Sequence, residues 1–215
     1  MSSTTHRSAF KRRGAAGLAG ASLLLAPLVA IAPAAADDDD DGAGVAQAST
    51  ATVNLLAIND FHGRLFEYEE DEDGNPTNDT LSLAGTVEEL RAEVGEDNTV
   101  FLTAGDDIGA SLFTSALQED RPTIEFLNAL DLDAAAVGNH EFDGGYDNLV
   151  GQVADWADFP HLGANVRFED GSPALAEYHV VEDVDGLDVA IIGAVTQDTP
   201  NLVIPSGVEG LVFED

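Results

Sequence analysis

An amide, an imidazole and a carboxylate follow one another at Asn139, His140 and Glu141. They come directly after residues 134–137, whose small and β-branched side chains predict a short buried strand. Catalytic groups collect where such strands give way to loops. Asn139 offers an oxygen ligand for a metal ion, and His140 offers a ligand nitrogen or a proton donor. Asp143 could bond the far ring nitrogen of His140 and fix its tautomer, a pairing that suits phosphoryl or acyl transfer.

Asp60 and His62 stand two positions apart, directly after the apolar residues 53–58, which predict a second buried strand. Residues at positions i and i+2 of an extended chain project to the same side, so both side chains can reach one metal ion. A hard carboxylate oxygen beside an imidazole nitrogen suits Zn, Mn or Fe better than Mg alone. Gly63 lets the backbone turn away close to this site.

Asp106 and Asp107 follow a third apolar run, residues 99–103. A helical segment separates this run from the strand before Asp60, and a strand, helix, strand order implies a parallel pair whose ends meet at one edge of the sheet. Asp106 is therefore expected beside Asp60 and His62. Carboxylates gathered at such an edge repel one another unless a cation lies between them. Asp107 is a candidate for a residue that contacts the metal ligands without binding the metal itself.

Two of these segments resemble the signatures of a known protein family. Residues 138–143, Gly-Asn-His-Glu-Phe-Asp, and residues 53–65, which hold Asp60 and His62, are similar to signatures of the secreted 5′-nucleotidase and UDP-sugar hydrolase family. The catalytic domain of that family is a calcineurin-like metallophosphoesterase. Leu132 stands where the family tends to carry an aromatic residue or proline, a difference that concerns packing. The resemblance implies an α/β fold, the four-layer αββα metallophosphoesterase sandwich.

The resemblance also implies roles for the site residues. Two divalent metal ions, Zn, Mn, Fe or Co, would activate water for attack on phosphorus. Their ligands in this chain would be Asp60, His62, a bridging Asp106 and Asn139. His140 would be catalytic, stabilising the charge on phosphorus or protonating the leaving oxygen, with Asp143 as its orienting partner. The implied function is metal-dependent hydrolysis of an extracellular nucleotide or another small phosphate ester.

Other functions share these motifs. A 2′,3′-cyclic-nucleotide phosphodiesterase with 3′-nucleotidase activity, or a UDP-sugar hydrolase, would carry the same residues. The sequence identifies neither the leaving group nor the substrate-binding residues. A non-catalytic secreted metal-binding module is an alternative of another class.

Several metal ligands of the family have no counterpart here. The family takes further histidines from a later strand end and from a Gly-His-x-His turn, and neither occurs in these 215 residues. The ligands present supply about half of the bonds that two metal ions need. The family's C-terminal nucleotide-binding domain is absent as well. We therefore expect residues 53–215 to be the N-terminal part of the phosphoesterase domain, truncated before its last strands, and the 215-residue chain to be inactive.

Residues 1–36 have the three parts of a secretory signal peptide. Four basic residues precede a small apolar stretch, residues 14–32, and alanines at positions 34–36 offer a cleavage site. Pro27 within the stretch and Pro33 directly after it argue against a retained membrane anchor. We expect cleavage near Ala36 and a secreted protein, extracellular or periplasmic, by either the Sec or the twin-arginine route. Residues 37–52 are expected to be an acidic, disordered linker.

Charge narrows the range of partners. Four of the eight basic residues and none of the 41 acidic ones lie in residues 1–36, so the rest of the chain carries a formal charge of −37. Such a surface repels nucleic acids and anionic membranes, so we expect neither a nucleic-acid partner nor stable membrane insertion. The composition is halophilic-like, although an ordinary acidic secreted protein fits it equally well. The chain has no cysteine, which excludes disulfides, thiolate metal sites and a cysteine nucleophile.

The remaining segments supply the elements around the site. Apolar residues at helical spacing predict helices over residues 83–94, 123–130 and 146–157. Two alternating runs joined by Asp185-Gly186 predict a β-hairpin of residues 178–184 and 187–194. Residues 67–79 are acidic and lack the last ligand of a calcium loop, so we predict a solvated loop there. We predict His161 to be a rim histidine rather than a metal ligand, and His179 to lie on the surface.

Overall fold

The structure is a computed structural model that describes residues 26–30, 50–65, 68–70 and 76–215. Most of the predicted signal peptide and linker therefore lies outside the described residues. Two parts of these segments are described: residues 26–30 form a strand, and the next strand begins at Ala51, two residues earlier than predicted. The removal of residues 1–36 on secretion stays a prediction.

The described strands are β1 (Ala26–Ala30), β2 (Ala51–Ile58), β3 (Tyr68–Glu70), β4 (Pro76–Asn78), β5 (Thr99–Thr103), β6 (Ala134–Ala136), β7 (His161–Leu162), β8 (Val166–Phe168), β9 (Tyr178–Val184), β10 (Leu187–Ile192) and β11 (Leu211–Phe213). The described α-helices are α1 (Asp79–Val94), α2 (Phe113–Ala116), α3 (Arg121–Ala129), α4 (Tyr146–Asn148), α5 (Ala154–Trp156) and α6 (Thr199–Leu202).

The main sheet has the strand order β1–β2–β5–β6–β7. β2, β5, β6 and β7 run parallel, and β1 lies antiparallel at the edge beside β2. Ile58 pairs with Thr103 and Thr103 with Ala135, so the carboxyl ends of β2, β5 and β6 lie side by side. This confirms the three predicted strands and their order. β1 comes from the segment predicted to stand apart from the fold, and it occupies a sheet edge, where unpaired backbone groups accept any extended chain.

β5 directs successive side chains to opposite faces of the sheet, as the two-residue period of a strand requires. Phe101 packs in the larger buried cluster, with Leu127 of α3 and other helical residues. Val100 faces the other way and packs with Val53 of β2 and Val184 of β9. The parallel sheet is therefore covered by helices on one face and by the β9–β10 hairpin on the other. This α/β arrangement confirms the predicted fold class.

The predicted helices and hairpin are confirmed with small shifts at their ends. α1 ends at Val94, directly before Gly95 as predicted. The third predicted helix spans α4 and α5, which are joined by a π-helical turn over Leu149–Val153. The hairpin ends at Ile192, two residues before its predicted end. None of the helices in the described ranges has both the length and the apolar character that a membrane crossing requires.

Two strand pairs are absent from the sequence-based prediction. β3 and β4 pair antiparallel inside residues 67–79, which we predicted to be a solvated loop. β8 and β11 also pair antiparallel. All four strands have three residues, which is too short for an alternating pattern to be distinguished from a loop.

His161 opens β7, which lies at an edge of the main sheet, and the residue as a whole is half-buried. Its ring stands beside that of Phe159, with the centroids 5.3 Å apart. Its Nδ1 atom is buried and has no hydrogen-bond partner among the described residues. Burial disfavours the charged ring and lowers the pKa of His161 to about 4. The ring is therefore neutral at neutral pH.

We expect His161→Leu to make the protein less sensitive to acid. Below its ordinary pKa near 6.5 the unfolded chain binds a proton at His161, whereas the folded chain does so near pH 4. The wild type therefore loses stability as the pH falls through this window, by up to roughly 3 kcal/mol. Urea unfolding between pH 7 and pH 4 should show a loss smaller by about this amount in the variant. Phe159→Leu, the matched packing control, should shift stability equally at every pH, and the same pH dependence in wild type and His161→Leu would contradict the assignment.

Candidate metal centre and active site

The loops that follow β2 and β5 run side by side beyond the ends of the strands. The backbone N–H of Asp60 donates to the carbonyl oxygen of Gly105, and the N–H of His62 donates to that of Asp106, each at 3.0 Å. The parallel pairing thus continues past the sheet. The structure brings Asp60, His62 and Asp106 together at one edge, as the strand order predicted.

The ends of β5 and β6 approach each other through two glycines. A side chain at Gly105 would overlap the backbone of Gly138, and a side chain at Gly138 would overlap the carboxylate of Asp106. Gly105 also has a φ of 95°, which side chains disfavour. The position of Asp106 next to β6 therefore requires glycine at both places.

Three predicted ligands have a left-handed backbone. The φ angles of Asp60, His62 and Asp106 are 54°, 47° and 57°. Residues with a side chain avoid this region, at a cost of roughly 1–3 kcal/mol each. Such strain persists where the surrounding structure fixes the backbone, and it is concentrated at functional sites. No pattern in the sequence predicted it.

His62, Asp106 and His140 each place one potential ligand atom within 4.8 Å of the other two. Nδ1 of His62 lies 2.9 Å from the carbonyl oxygen of Gly109. In the tautomer that donates this bond, Nε2 is free to bind a metal ion. Two imidazoles and a carboxylate form a donor set for divalent transition metals, so these residues fit the predicted ions.

His140 and Asp143 form the predicted pair. Nδ1 of His140 lies 2.8 Å from Oδ2 of Asp143, and the same oxygen accepts the N–H of Ala110 at 3.2 Å. Burial lowers the pKa of His140, but the hydrogen bond and charge of Asp143, together with the charges of Asp106 and Glu141, outweigh it and raise the pKa. The pair therefore favours the imidazolium form, which can stabilise negative charge or donate a proton.

Asp60 lies outside the three-residue cluster, and Asn139 directly precedes its member His140 in the chain. Asp60 is exposed, with Oδ1 3.8 Å from Nε2 of His62, and its other oxygen accepts a hydrogen bond from the Asn59 amide. Asn139 is half-buried and precedes the short 3₁₀ helix His140–Phe142. The roles of both residues as metal ligands stay predictions.

Glu141 is a site residue to which the sequence analysis gave no role. It is fully buried, and its carboxylate accepts backbone N–H bonds from Gly138 at 2.5 Å, Asp107 at 2.8 Å and Asp106 at 2.9 Å. Burial raises its pKa and these backbone bonds oppose the rise, with a net increase. A signal was present, because a glutamate placed between a strand end and an aromatic residue is poorly explained by solvation.

Asp107 lies behind the cluster, as predicted. It is buried, and Oδ1 accepts a hydrogen bond from the Thr103 hydroxyl at 2.8 Å. Burial and the nearby charge of Glu141 raise its pKa well above the ordinary value. The site thus gathers two buried carboxyl groups directly behind the potential metal ligands.

Comparisons with known proteins agree with this geometry. The chain is 35% identical over 181 residues to the endonuclease YhcR of Bacillus subtilis and covers 15% of that protein with 76% of its own length. It is 34% identical over 168 residues to a 5′-nucleotidase of Vibrio vulnificus and covers 29% of it with 78% of its own length. The crystal structure of the calcineurin-like phosphoesterase YfkN from Bacillus subtilis matches with a TM-score of 0.59 and 26% identity, over 76% of this chain and 54% of that one. No family model matches the chain.

The fold and the site together define a calcineurin-like phosphoesterase domain. The chain spans less than a third of the length of either curated relative. Within this class, the relatives that the chain resembles include several named 5′-nucleotidase, in agreement with the family that its two sequence signatures indicated.

We expect Gly138→Ala to weaken metal binding. The added methyl group would overlap both the carboxylate and the backbone nitrogen of Asp106, so it would displace Asp106 from its position as a ligand. A loss of roughly tenfold or more in Mn²⁺ affinity, measured by calorimetric titration, is the expected scale for disturbing a ligand in this way. Gly85→Ala is the matched control, since a methyl group there meets open space in α1. Wild-type Mn²⁺ affinity in Gly138→Ala would show that Asp106 is not held against Gly138.

Proposed function

We propose that this chain is the N-terminal part of a metal-dependent phosphoric ester hydrolase that acts on extracellular nucleotides. The observation that carries the proposal is the cluster of His62, Asp106 and His140 ligand atoms within 4.8 Å of one another, beside the pair formed by His140 and Asp143. In this site His62 and Asp106 offer donor atoms for divalent metal ions, and His140, oriented by Asp143, offers a positioned proton donor. Hydrolysis of a phosphate ester needs both components.

The chain's own residues would hold two divalent metal ions, which when bound supply Lewis-acid polarisation of phosphoryl oxygens and acidify water. His62 would bind through Nε2, because Nδ1 is engaged by the Gly109 carbonyl. Asp106 would bind with its orientation fixed, since its Oδ1 accepts the backbone N–H of His140 at 2.9 Å. Asp60 and Asn139 would complete the ligands that this chain contributes.

His140 would act on the substrate rather than bind a metal ion. With Nδ1 bonded to Asp143, its Nε2 is the nitrogen left to meet a phosphoryl or leaving oxygen. The raised pKa keeps more of the ring protonated near neutral pH, which favours stabilisation of the developing charge or donation of a proton to the leaving oxygen.

A nucleotide substrate is supported by the relatives whose names include 5′-nucleotidase. Action outside the cell is supported by the signal-peptide features of residues 1–36. The relative named as an endonuclease favours a second candidate, phosphodiester hydrolysis in a polynucleotide. The formal charge of −37 argues against it, because a polyanionic substrate would be repelled at low salt.

Product analysis on several substrates distinguishes these functions. An active form of the protein should release phosphate from a 5′-nucleoside monophosphate faster than it opens a 2′,3′-cyclic nucleotide, cleaves a UDP-sugar or degrades single-stranded DNA. Preference for the cyclic nucleotide or the UDP-sugar would select that alternative within the family. If a form of the protein with the full set of metal ligands binds metal but hydrolyses none of these substrates, that result would support the non-catalytic module.

We expect the 215-residue chain by itself to show no turnover, even when it is supplied with Zn²⁺ or Mn²⁺. It contributes about half of the ligands that two metal ions require. Phosphate release from a nucleoside monophosphate and from an aryl phosphate measures this directly. Turnover that follows the purified chain and disappears in Asp106→Ala would show that the ligands present are sufficient.

The roles of Asn139 and His140 separate metal binding from chemistry in an active form of the protein. Asn139→Ala should lower metal occupancy and activity together, because a ligand is removed. His140→Asn should keep the metal while kcat falls by roughly 10²-fold, the scale of a lost acid or charge-stabilising group. Elemental analysis beside kcat measures both quantities. Loss of metal from His140→Asn would make His140 a ligand, a role that its place in the cluster also allows.

A further inference from the structure

Glu141 has no assigned part in metal binding or in proton transfer, yet its carboxylate is surrounded by backbone donors from two loops. Oε2 accepts the N–H groups of Asp106 and Gly138, at 2.9 Å and 2.5 Å. Oε1 accepts those of Asp107 and Ile108, at 2.8 Å and 3.4 Å. One buried side chain thus joins the loop that follows β5 to the end of β6.

A carboxylate is the group that this environment requires. Four N–H dipoles converge on one buried point, and an ionised carboxylate offers two oxygens and a negative charge to them. An apolar side chain would leave buried donors without partners, at a cost of about 1–3 kcal/mol each. A glutamine side chain would turn its NH₂ group toward some of these N–H donors. It could therefore not accept all four hydrogen bonds.

Asp106 is thereby fixed at two points by one short segment of chain. Its backbone N–H donates to Glu141, and its Oδ1 accepts the N–H of His140 at 2.9 Å. These bonds hold the left-handed backbone of Asp106, whose φ is 57°. The segment that carries Glu141 also carries His140 and Asp143, so the ligand and the imidazole are positioned by the same side chain.

We infer that Glu141 is a positioning residue that fixes Asp106 relative to the pair of His140 and Asp143, and so sets the distance between the metal centre and the catalytic imidazole. The inference rests on the proposed function, because it takes Asp106 as a metal ligand. Glu141 itself would touch neither the metal ions nor the substrate.

The test uses the full 215-residue chain with Glu141→Gln. Amide hydrogen exchange, followed by NMR without metal, should accelerate by roughly tenfold or more at Asp106, Asp107 and Gly138. The amides of Ala135 and Val137, which bond to Pro160 and Leu162, should keep their protection. Co²⁺ affinity, measured by calorimetric titration, should fall by roughly 10- to 100-fold, the range seen when a partner that orients a ligand is lost.

Asp133→Asn is the matched control. The Asp133 carboxylate also accepts a backbone N–H, that of Phe101 at 2.8 Å, but at the amino end of β6 and away from the site. This variant should lose stability without faster exchange at Asp106 or Gly138 and with wild-type Co²⁺ affinity. Glu141→Asp, which keeps the charge and shortens the reach, should give an intermediate effect at the same amides, and it replaces Glu141→Gln in the test if that variant does not fold.

Faster amide exchange in the Glu141 variant at Asp106, Asp107 and Gly138 alone supports the inference. Acceleration at all amides alike, or no acceleration, overturns it. Weakened Co²⁺ binding in the Asp133→Asn control to the same degree also overturns it, since stability alone would then explain the effect. If the wild type binds no Co²⁺, the proposed metal site fails, and the amide exchange still decides whether Glu141 positions Asp106.

Discussion

The site depends on a contact in which the backbones at the ends of β5 and β6 touch without any side chain between them. Gly105 and Gly138 permit this approach. The approach buries backbone N–H groups, and the carboxylate of Glu141 accepts hydrogen bonds from them. Because the loop after β5 also pairs with the loop after β2, the position of Asp106 is transmitted to His62. A packed parallel sheet therefore ends in a backbone frame that carries the functional side chains.

Negative charge is the electrostatic cost of this frame. Burial raises the pKa values of Asp107 and Glu141, and neighbouring carboxylates add to both shifts. The charges of Asp143, Asp106 and Glu141 contribute to the raised pKa of His140. A cation bound in front of these groups would offset the repulsion.

The sequence was sufficient where a pattern follows directly from chain geometry. Strand ends, their parallel order and the pairing of His140 with Asp143 were predicted from apolar runs and from spacing. Features that depend on contacts between distant segments were not. The buried Nδ1 atom of His161, the three-residue strand pairs and the four donors around Glu141 arise from packing that a single sequence does not encode locally.

The left-handed backbone at Asp60, His62 and Asp106 also bears on how this domain responds to selection. Glycine, and to a lesser degree asparagine, relieves such strain. A screen for heat resistance alone would reward these replacements while it removed the carboxylates and the imidazole. Directed evolution of this domain therefore has to select for thermal robustness and for ligand retention together, because at these positions the two are opposed.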